Sequence, residues 1–199
     1  MKPACETKSK LLQVALRLIW ESSYGSVGVE EMCRQAGVKK GSFYYFFPSK
    51  SGLTVAAMEA HWQEQCAALD QVFAPETPPL ARLESYCRSV CERQQAKKEE
   101  YGKVCGCPMV TLGAELSTQD EAIRAKTAEI MGGYVRYFET AVRDAAAQGL
   151  VLCDDPAAAA RQLFAFSQGV LLQAKVHNDL SLLADMQPGM FRLLRLQAA

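Results

Sequence analysis

The stretch Val29–Ser51, VEEMCRQAGVKKGSFYYFFPSKS, decides the fold, because it has the pattern of two short helices joined by a tight turn. Apolar residues at helical spacing up to Ala36 share one face of the first helix. Gly37 supplies the left-handed conformation that ends this helix. The second helix starts at Lys39, and its aromatic run stops at Pro48, because proline disfavours helix at the residue before it. This order of signals predicts a helix-turn-helix unit.

The residue types at the start of the second helix are those that contact DNA. In helix-turn-helix proteins this end enters the major groove, where lysines, hydroxyls and backbone N–H groups meet phosphates and base edges. Gly41 leaves room for a close approach, and two tyrosines offer phenol hydroxyls on an apolar body. The alternative is an ordinary helical hairpin with solvated lysines. The predicted DNA contacts are Lys8, Gly28, Lys39, Lys40, Gly41, Ser42, Tyr44, Tyr45 and Lys50.

The segment AGVKKGSFYYFFPSK resembles the signature of the TetR family of transcriptional regulators, which is usually close to AGVSKGTLYHYFPSK, and the likeness extends from about Lys8 to Val55. The resemblance implies an all-α homodimer that binds a palindromic operator in double-stranded DNA and is released by a small-molecule inducer. Two positions depart from the pattern. Lys39 and Gly28 stand where hydroxyl residues usually cap helices; glycine caps tolerably, whereas lysine does not.

Charge is distributed unevenly along the 199 residues, although 22 basic and 22 acidic side chains give a formal net charge of zero. Residues 1–55 contain eight Lys and Arg against four acids, so this segment carries +4 and the remainder −4. A positive field concentrated around the motif is typical of a DNA-binding domain joined to a domain of another function. We therefore expect a helix-turn-helix domain over residues 1–50 and a ligand-sensing and dimerisation domain over residues 51–199.

Charged residues interrupt every long apolar run, so the sequence predicts neither a membrane-spanning helix nor a signal peptide, and a cytoplasmic protein is expected. In that compartment the eight cysteines are expected to be reduced thiols rather than a disulfide framework. No cofactor is predicted.

Thr7 to about Glu21 reads as a helix that Thr7 can cap. The C-terminal part reads as further helices. Proline at 75, 78 and 79 marks a linker, and Asp155-Pro156 is a strong helix start. The helix that it opens is apolar almost all round and must be covered on two sides. We infer that this helix and a shorter one near Leu180–Leu196 pair with their counterparts across a dimer axis.

Cys107 and Cys105 are the candidate sensor thiols, in the segment CGCP that precedes a predicted helix at Pro108. A thiol near a helix N-terminus is favoured as the reactive thiolate. Within the family, GCPMVTLGAEL together with LLQAKVHNDLSLL resembles a subgroup of repressors that respond to electrophiles and quinones, and its reactive cysteine corresponds to Cys107. The alternative is packing, since free cysteine is often buried; Cys33 in particular is expected in the core.

A non-covalent inducer is the other expectation for this domain. Candidate pocket residues are Trp62, Tyr134, Phe138 and Gln173, although aromatics at helical spacing also form ordinary cores. Two rival functions stay open: a metal-responsive regulator that uses the cysteines, although their spacings do not match common zinc sites, and a thiol-dependent enzyme. The enzyme is disfavoured because only His61 and His177 are available as a base and neither lies in a recognisable catalytic motif.

Overall fold

The computed structural model describes the backbone of residues 2–196 and the side chains of residues 6–196. The described chain is almost entirely helical, and a 3-10 helix at Leu180–Asp185 leads into the last α-helix. The all-α prediction is confirmed. The α-helices are α1 (Lys2–Glu21), α2 (Val29–Ala36), α3 (Lys40–Phe46), α4 (Lys50–Val72), α5 (Pro79–Tyr101), α6 (Pro108–Leu116), α7 (Glu121–Ala147), α8 (Pro156–His177) and α9 (Met186–Leu193).

The helices form two compact units. The first comprises Met1–Glu64 and Pro108–Ile130, and the second comprises Gln65–Cys107 and Met131–Ala199. Helices α4 and α7 each begin in the first unit and end in the second. The expected functional boundary after residue 50 is a different division of the chain and stays a prediction.

In the first unit, α1 packs on α2 and α3, and α6 also contacts α1. Gly37 ends α2 in the left-handed conformation, with φ of 64°, and the Val38 N–H donates to the Cys33 carbonyl. This is the glycine turn expected from the sequence. Leu11, Met32 and Phe43, one from each helix, are fully buried and fix the three helices around one core.

In the second unit, α8 packs on α9 and on the 3-10 helix, and α5 contacts both of these. Aromatic rings fill the centre: Tyr86 and Phe138 meet edge to face with centroids 4.8 Å apart, and Phe164 lies 6.2 Å from Phe138. The buried guanidinium of Arg82 holds the α4–α5 turn by donating to the Thr77 and Pro75 carbonyls and to the Asp144 carboxylate.

Two predicted helix bounds are corrected. The first helix was expected to start at Thr7 as its cap, but α1 begins at Lys2 and Thr7 lies inside it. The last helix, expected near Leu180–Leu196, is divided. Asp179 accepts a hydrogen bond from the Ser181 N–H and starts the 3-10 segment, and the α-helix proper begins only at Met186. Pro188 then falls in its first turn, where a missing N–H costs nothing.

Asp155 caps α8 as predicted, because its carboxylate accepts from the Ala158 N–H at 2.9 Å and Pro156 occupies the first turn. None of the helices over residues 2–196 has the length and apolar character needed to cross a membrane.

Candidate DNA-binding and sensor sites

The start of α3 is open to solvent. Lys39 occupies the N-cap in an extended conformation, with φ of −77° and ψ of 149°, and its side chain makes no capping hydrogen bond. Lys39 and Lys40 are both exposed, and a side chain added at Gly41 would meet nothing within 4 Å. The first N–H groups of α3 therefore combine with two ammonium groups, an arrangement that attracts phosphate.

The aromatic run of α3 divides between core and surface. Phe43 and Phe47 are buried, whereas Tyr44 is 52% exposed and Tyr45 is 79% exposed. The Phe43 ring lies edge to face on the Tyr44 ring with centroids 5.1 Å apart, so the buried phenylalanine orients the exposed tyrosine. Phenol hydroxyls presented in this way can donate to DNA phosphates.

The other predicted DNA contacts have varied surroundings. Lys8 is exposed on α1, and Ser42 is half-buried on α3. Gly28 is the N-cap of α2 and contributes no side-chain capping bond. The Lys40 ammonium lies 3.3 Å from the Glu30 carboxylate, both groups being well exposed, so solvent and salt screen this ion pair strongly.

Lys50 is held within the first unit. Its ammonium donates to the Tyr24 carbonyl and lies 3.7 Å from the centre of the Tyr24 ring. Partial burial lowers the pKa of this ammonium, against a smaller opposite effect of the Glu115 carboxylate. The same carboxylate accepts from the backbone N–H of Tyr24 at 3.3 Å and of Gly25 at 3.0 Å.

Glu115 was missed by the sequence reasoning. It lies on α6, and its partners are in the loop before α2, about 90 residues earlier in the chain. Charge pattern and helical spacing carry no signal for such a contact, since it arises only when the tertiary fold brings α6 beside the loop. It ties α6 to the loop that leads into the helix-turn-helix.

The two candidate sensor thiols differ in exposure. Cys107 is half-buried and directly precedes α6, whereas Cys105 is only 1% exposed and its thiol lies 3.6 Å from the Lys103 carbonyl. Cys105 is therefore shielded from solutes in the folded chain, and Cys107 is the accessible member of the pair.

Two buried phenols belong to the same unit as Cys107. Burial raises the pKa of the Tyr86 and Tyr134 hydroxyls, and electrostatic interaction with the Cys107 thiol adds to the increase. Both hydroxyls therefore stay protonated at neutral pH and can act as hydrogen-bond donors. Phe138 is fully buried among the same aromatic rings.

The members of the expected inducer group differ in burial and in the unit to which they belong. Trp62 is buried, but it lies in the part of α4 that belongs to the first unit. Gln173 is exposed on α8 and takes no part in the buried cluster. Tyr134 and Phe138 are the candidates that share the buried aromatic cluster of the second unit.

The remaining described cysteines have the character of packing residues or are partly exposed. Burial raises the pKa of the Cys87 thiol to about 12 and also raises the pKa of Cys33 and Cys91, so these thiols stay protonated at neutral pH. Across residues 6–196 no three His, Cys, Asp or Glu side chains are grouped so that they could hold a metal ion. The metal-responsive alternative gains no support from this geometry.

Comparison with known proteins agrees with this geometry. The family described as bacterial regulatory proteins, tetR family, matches residues 11–57. The tetracyclin repressor-like C-terminal domain matches residues 79–189, which is more than half of the chain.

Individual relatives match over most of the chain. The transcriptional regulator AcuR of Cereibacter sphaeroides is 33% identical over 168 residues, which cover 83% of this chain and 75% of AcuR. The transcriptional repressor NemR of Escherichia coli is 27% identical, over 87% of this chain and 86% of NemR.

Solved structures share the fold. The reduced form of Escherichia coli NemR superposes with a TM-score of 0.85 at 24% identity, covering 97% of this chain and 99% of that one. A TetR regulatory protein of Rhodobacter sphaeroides superposes with a TM-score of 0.82 at 29% identity, covering 93% and 97%. With a helix-turn-helix whose second helix opens on exposed lysines, and with both family domains matched in order, the chain belongs to the TetR family of DNA-binding transcriptional regulators.

Proposed function

We propose that the chain is a homodimeric repressor that binds a palindromic operator and is released when a small-molecule inducer or an electrophile acts on the second unit. The observation that carries the DNA-binding part is the exposed start of α3, where Lys39 and Lys40 flank free helix N–H groups. The Escherichia coli relative NemR is named a repressor, which supports repression as the direction of control.

An apolar stripe on α8 supports the homodimer. Residues 165, 169, 172 and 176 recur at helical spacing and are all exposed, with Leu172 at 59% and Val176 at 71%. Ala165 and Gly169 are small and leave room for a second helix, while the exposed large side chains of Leu172 and Val176 favour an interaction surface over a solvated face. A second copy of the same stripe is its proposed cover, because an isologous contact gives the twofold symmetry that a palindrome requires.

Cys107 is the proposed sensor thiol, and its partial exposure favours it over the buried Cys105. With a quinone, the thiolate sulfur bonds to a ring carbon while the ring C=C electrons shift onto a carbonyl oxygen, which takes up the proton of the thiol. Transfer of the hydrogen on that ring carbon to the other oxygen completes the hydroquinone thioether. The reaction adds a bulky group immediately before α6.

Helix α6 links Cys107 to the loop before α2, so a change at the cysteine can affect the helix-turn-helix. It begins at the residue after Cys107 and carries Glu115, whose carboxylate accepts from the Tyr24 and Gly25 N–H groups before α2. A change in the position of α6 would alter these bonds to the loop before α2. The modified or liganded protein must favour the weaker-binding state for release to follow.

The test is a fluorescence-anisotropy titration of the reduced protein against the DNA upstream of its own coding region, repeated after treatment with 1,4-benzoquinone. Wild type is compared with Cys107→Ser and with the control Cys153→Ser, which removes another half-buried thiol. We expect tight binding by all three reduced proteins, and release by the quinone of wild type and Cys153→Ser only.

The other outcomes are equally informative. Release of Cys107→Ser together with wild type would assign the response to another residue. Binding without any response would overturn the thiol sensor and leave the non-covalent inducer as the proposal. Absence of binding to that DNA at every protein concentration would contradict control of the upstream region.

A further inference from the structure

The backbone just before Cys107 is held by a buried glutamine. Gln94, on α5, is only 5% exposed, and its side-chain amide forms two opposed hydrogen bonds with Gly106. The Gly106 N–H donates to Gln94 Oε1 at 2.9 Å, and Gln94 Nε2 donates to the Gly106 carbonyl at 3.1 Å. Gly106 is itself buried, so its backbone polar groups need these partners.

The conformation at Gly106 is one that other residues rarely adopt. Its φ of 70° lies in the left-handed region, and a Cβ placed there would lie 3.1 Å from Lys175 Cδ. The Lys175 stem therefore packs directly over the glycine. The chain direction into Cys107 depends on this single residue keeping its unusual dihedral angle.

A second pair of contacts fixes the other end of the segment. The Val104 N–H donates to Asn178 Oδ1 at 2.9 Å, and the Lys98 ammonium donates to the Asn178 carbonyl at 2.9 Å. The segment between α5 and α6 is thus anchored on both sides, and Gln94 provides the anchor next to Cys107.

We propose that Gln94 is a positioning residue for Cys107: its paired hydrogen bonds to Gly106 hold the backbone that places Cys107 directly before α6. This inference rests on the proposed role of Cys107 as the sensor. Buried glutamine carries a desolvation cost that an apolar residue of the same shape avoids, and its two hydrogen bonds to the Gly106 backbone offset that cost.

Replacing Gln94 with an apolar side chain removes both of these hydrogen bonds from the buried backbone of Gly106. The backbone before Cys107 is then less firmly held, so the thiol can change its orientation relative to the first turn of α6. A thiol displaced from a helix N-terminus loses the stabilisation of its thiolate, so its reaction with an alkylating agent slows at neutral pH.

The experiment measures the rate of alkylation of Cys107 by iodoacetamide, in which sulfur displaces iodide, between pH 5 and pH 10 without DNA. Trypsin releases the peptide 104–124, and fragment spectra separate Cys107 from Cys105. The variant is Gln94→Met, and the matched control is Gln95→Met, which removes an exposed amide on the same helix that donates to the Glu99 carboxylate.

For Gln94→Met we expect the pH of half-maximal rate to rise by about one unit and the rate at pH 7 to fall roughly fivefold, because less of the thiol is ionised. The rate falls less than the thiolate fraction does, because the remaining, more basic thiolate is the better nucleophile. Gln95→Met should match wild type. Gln94→Glu serves as a second variant, because its protonated carboxyl reproduces both hydrogen bonds. Burial raises the pKa of a carboxyl at this position, so the rate should approach that of wild type at the acidic end of the measured range and fall behind at higher pH.

Equal pH profiles for wild type and both Gln94 variants would overturn the positioning role while leaving the sensor proposal intact. A faster reaction of Gln94→Met with a lower half-maximal pH would also overturn it. If Cys107 of the wild type reacts no faster than Cys153, the sensor proposal itself fails, and the two failures are thereby distinguished.

Discussion

At the scale of single residues, the exposed groups of α3 are held in place by neighbours that are buried. Phe43 is inaccessible to solvent, while the Tyr44 ring that it contacts is half exposed. Lys40 follows a lysine cap that leaves the first N–H groups free. The first prediction therefore concerns these two exposed side chains.

Lys40→Ala should weaken DNA binding about tenfold and reduce the slope of log affinity against log salt by about one, because one phosphate contact is lost. Tyr44→Phe, which removes only the hydroxyl, should weaken binding less. The measurements are anisotropy titrations at several salt concentrations, with sedimentation to check that the oligomeric state is unchanged. Arg136→Ala, an exposed cation of the second unit, is the control, and unchanged affinity in both α3 variants would contradict the assignment of α3 as the recognition helix.

At the scale of helices, α8 and α9 approach each other closely at Gly189. A Cβ built at Gly189 would lie 2.1 Å from Cζ of the Phe166 ring, so the helices can pack at this distance only with glycine at that position. A methyl group here must displace an aromatic ring rather than the end of a flexible chain.

Gly189→Ala should destabilise the protein by about 1–3 kcal/mol through overpacking, even though alanine is the better helix former. The control is Gly132→Ala on α7, where the nearest atom to an added Cβ is the mobile Arg136 guanidinium at 3.8 Å. That change should be neutral or stabilising by up to about 1 kcal/mol. Urea denaturation curves measure both, and a Gly189→Ala protein as stable as wild type would show that α9 shifts without cost.

The helix bounds that the sequence predicted well are those set by local chemistry. The turn at Gly37 and the start of α8 at Asp155 depend on residues next to the bound, and both agree with the structure. The start of α1 and the division before α9 were wrong, because helix ends also depend on packing, which a single-sequence pattern does not contain.

The candidate site residues also divide into those predictable from neighbouring sequence and those that depend on tertiary packing. Charge and motif order located the lysines of α3 and the cysteine before α6, both of which are local features. Gln94 and Glu115 form hydrogen bonds with residues 12 and about 90 positions away in the sequence. Each residue meets its partner only when the chain is folded. The difference in solvent exposure between Cys107 and Cys105 also depends on the tertiary fold, because packing determines which side of this short segment faces solvent.

At the scale of the whole molecule, the apolar stripe on α8 determines the expected oligomeric state. Leu172→Glu and Val176→Glu each place a charge in a surface that is buried in the proposed dimer, where an unpaired carboxylate is costly. Each should yield a monomer at micromolar concentration and lose most operator affinity. Light scattering after gel filtration measures the mass, and Leu152→Glu, equally exposed at 69% but outside α8, is the control. A dimer that persists in both α8 variants would place the interface elsewhere.

Buried cysteines in both units allow the local unfolding of each unit to be measured by thiol labelling. Cys33 lies in the core of the first unit, while Cys87 and Cys105 lie in the core of the second, and all three are shielded in the folded chain. Pulse labelling in mild denaturant therefore marks each of them only during the moments when its surroundings open. Unequal labelling of Cys33 and Cys87 would show that the two units open with different free energies, in one sample and without an introduced cysteine.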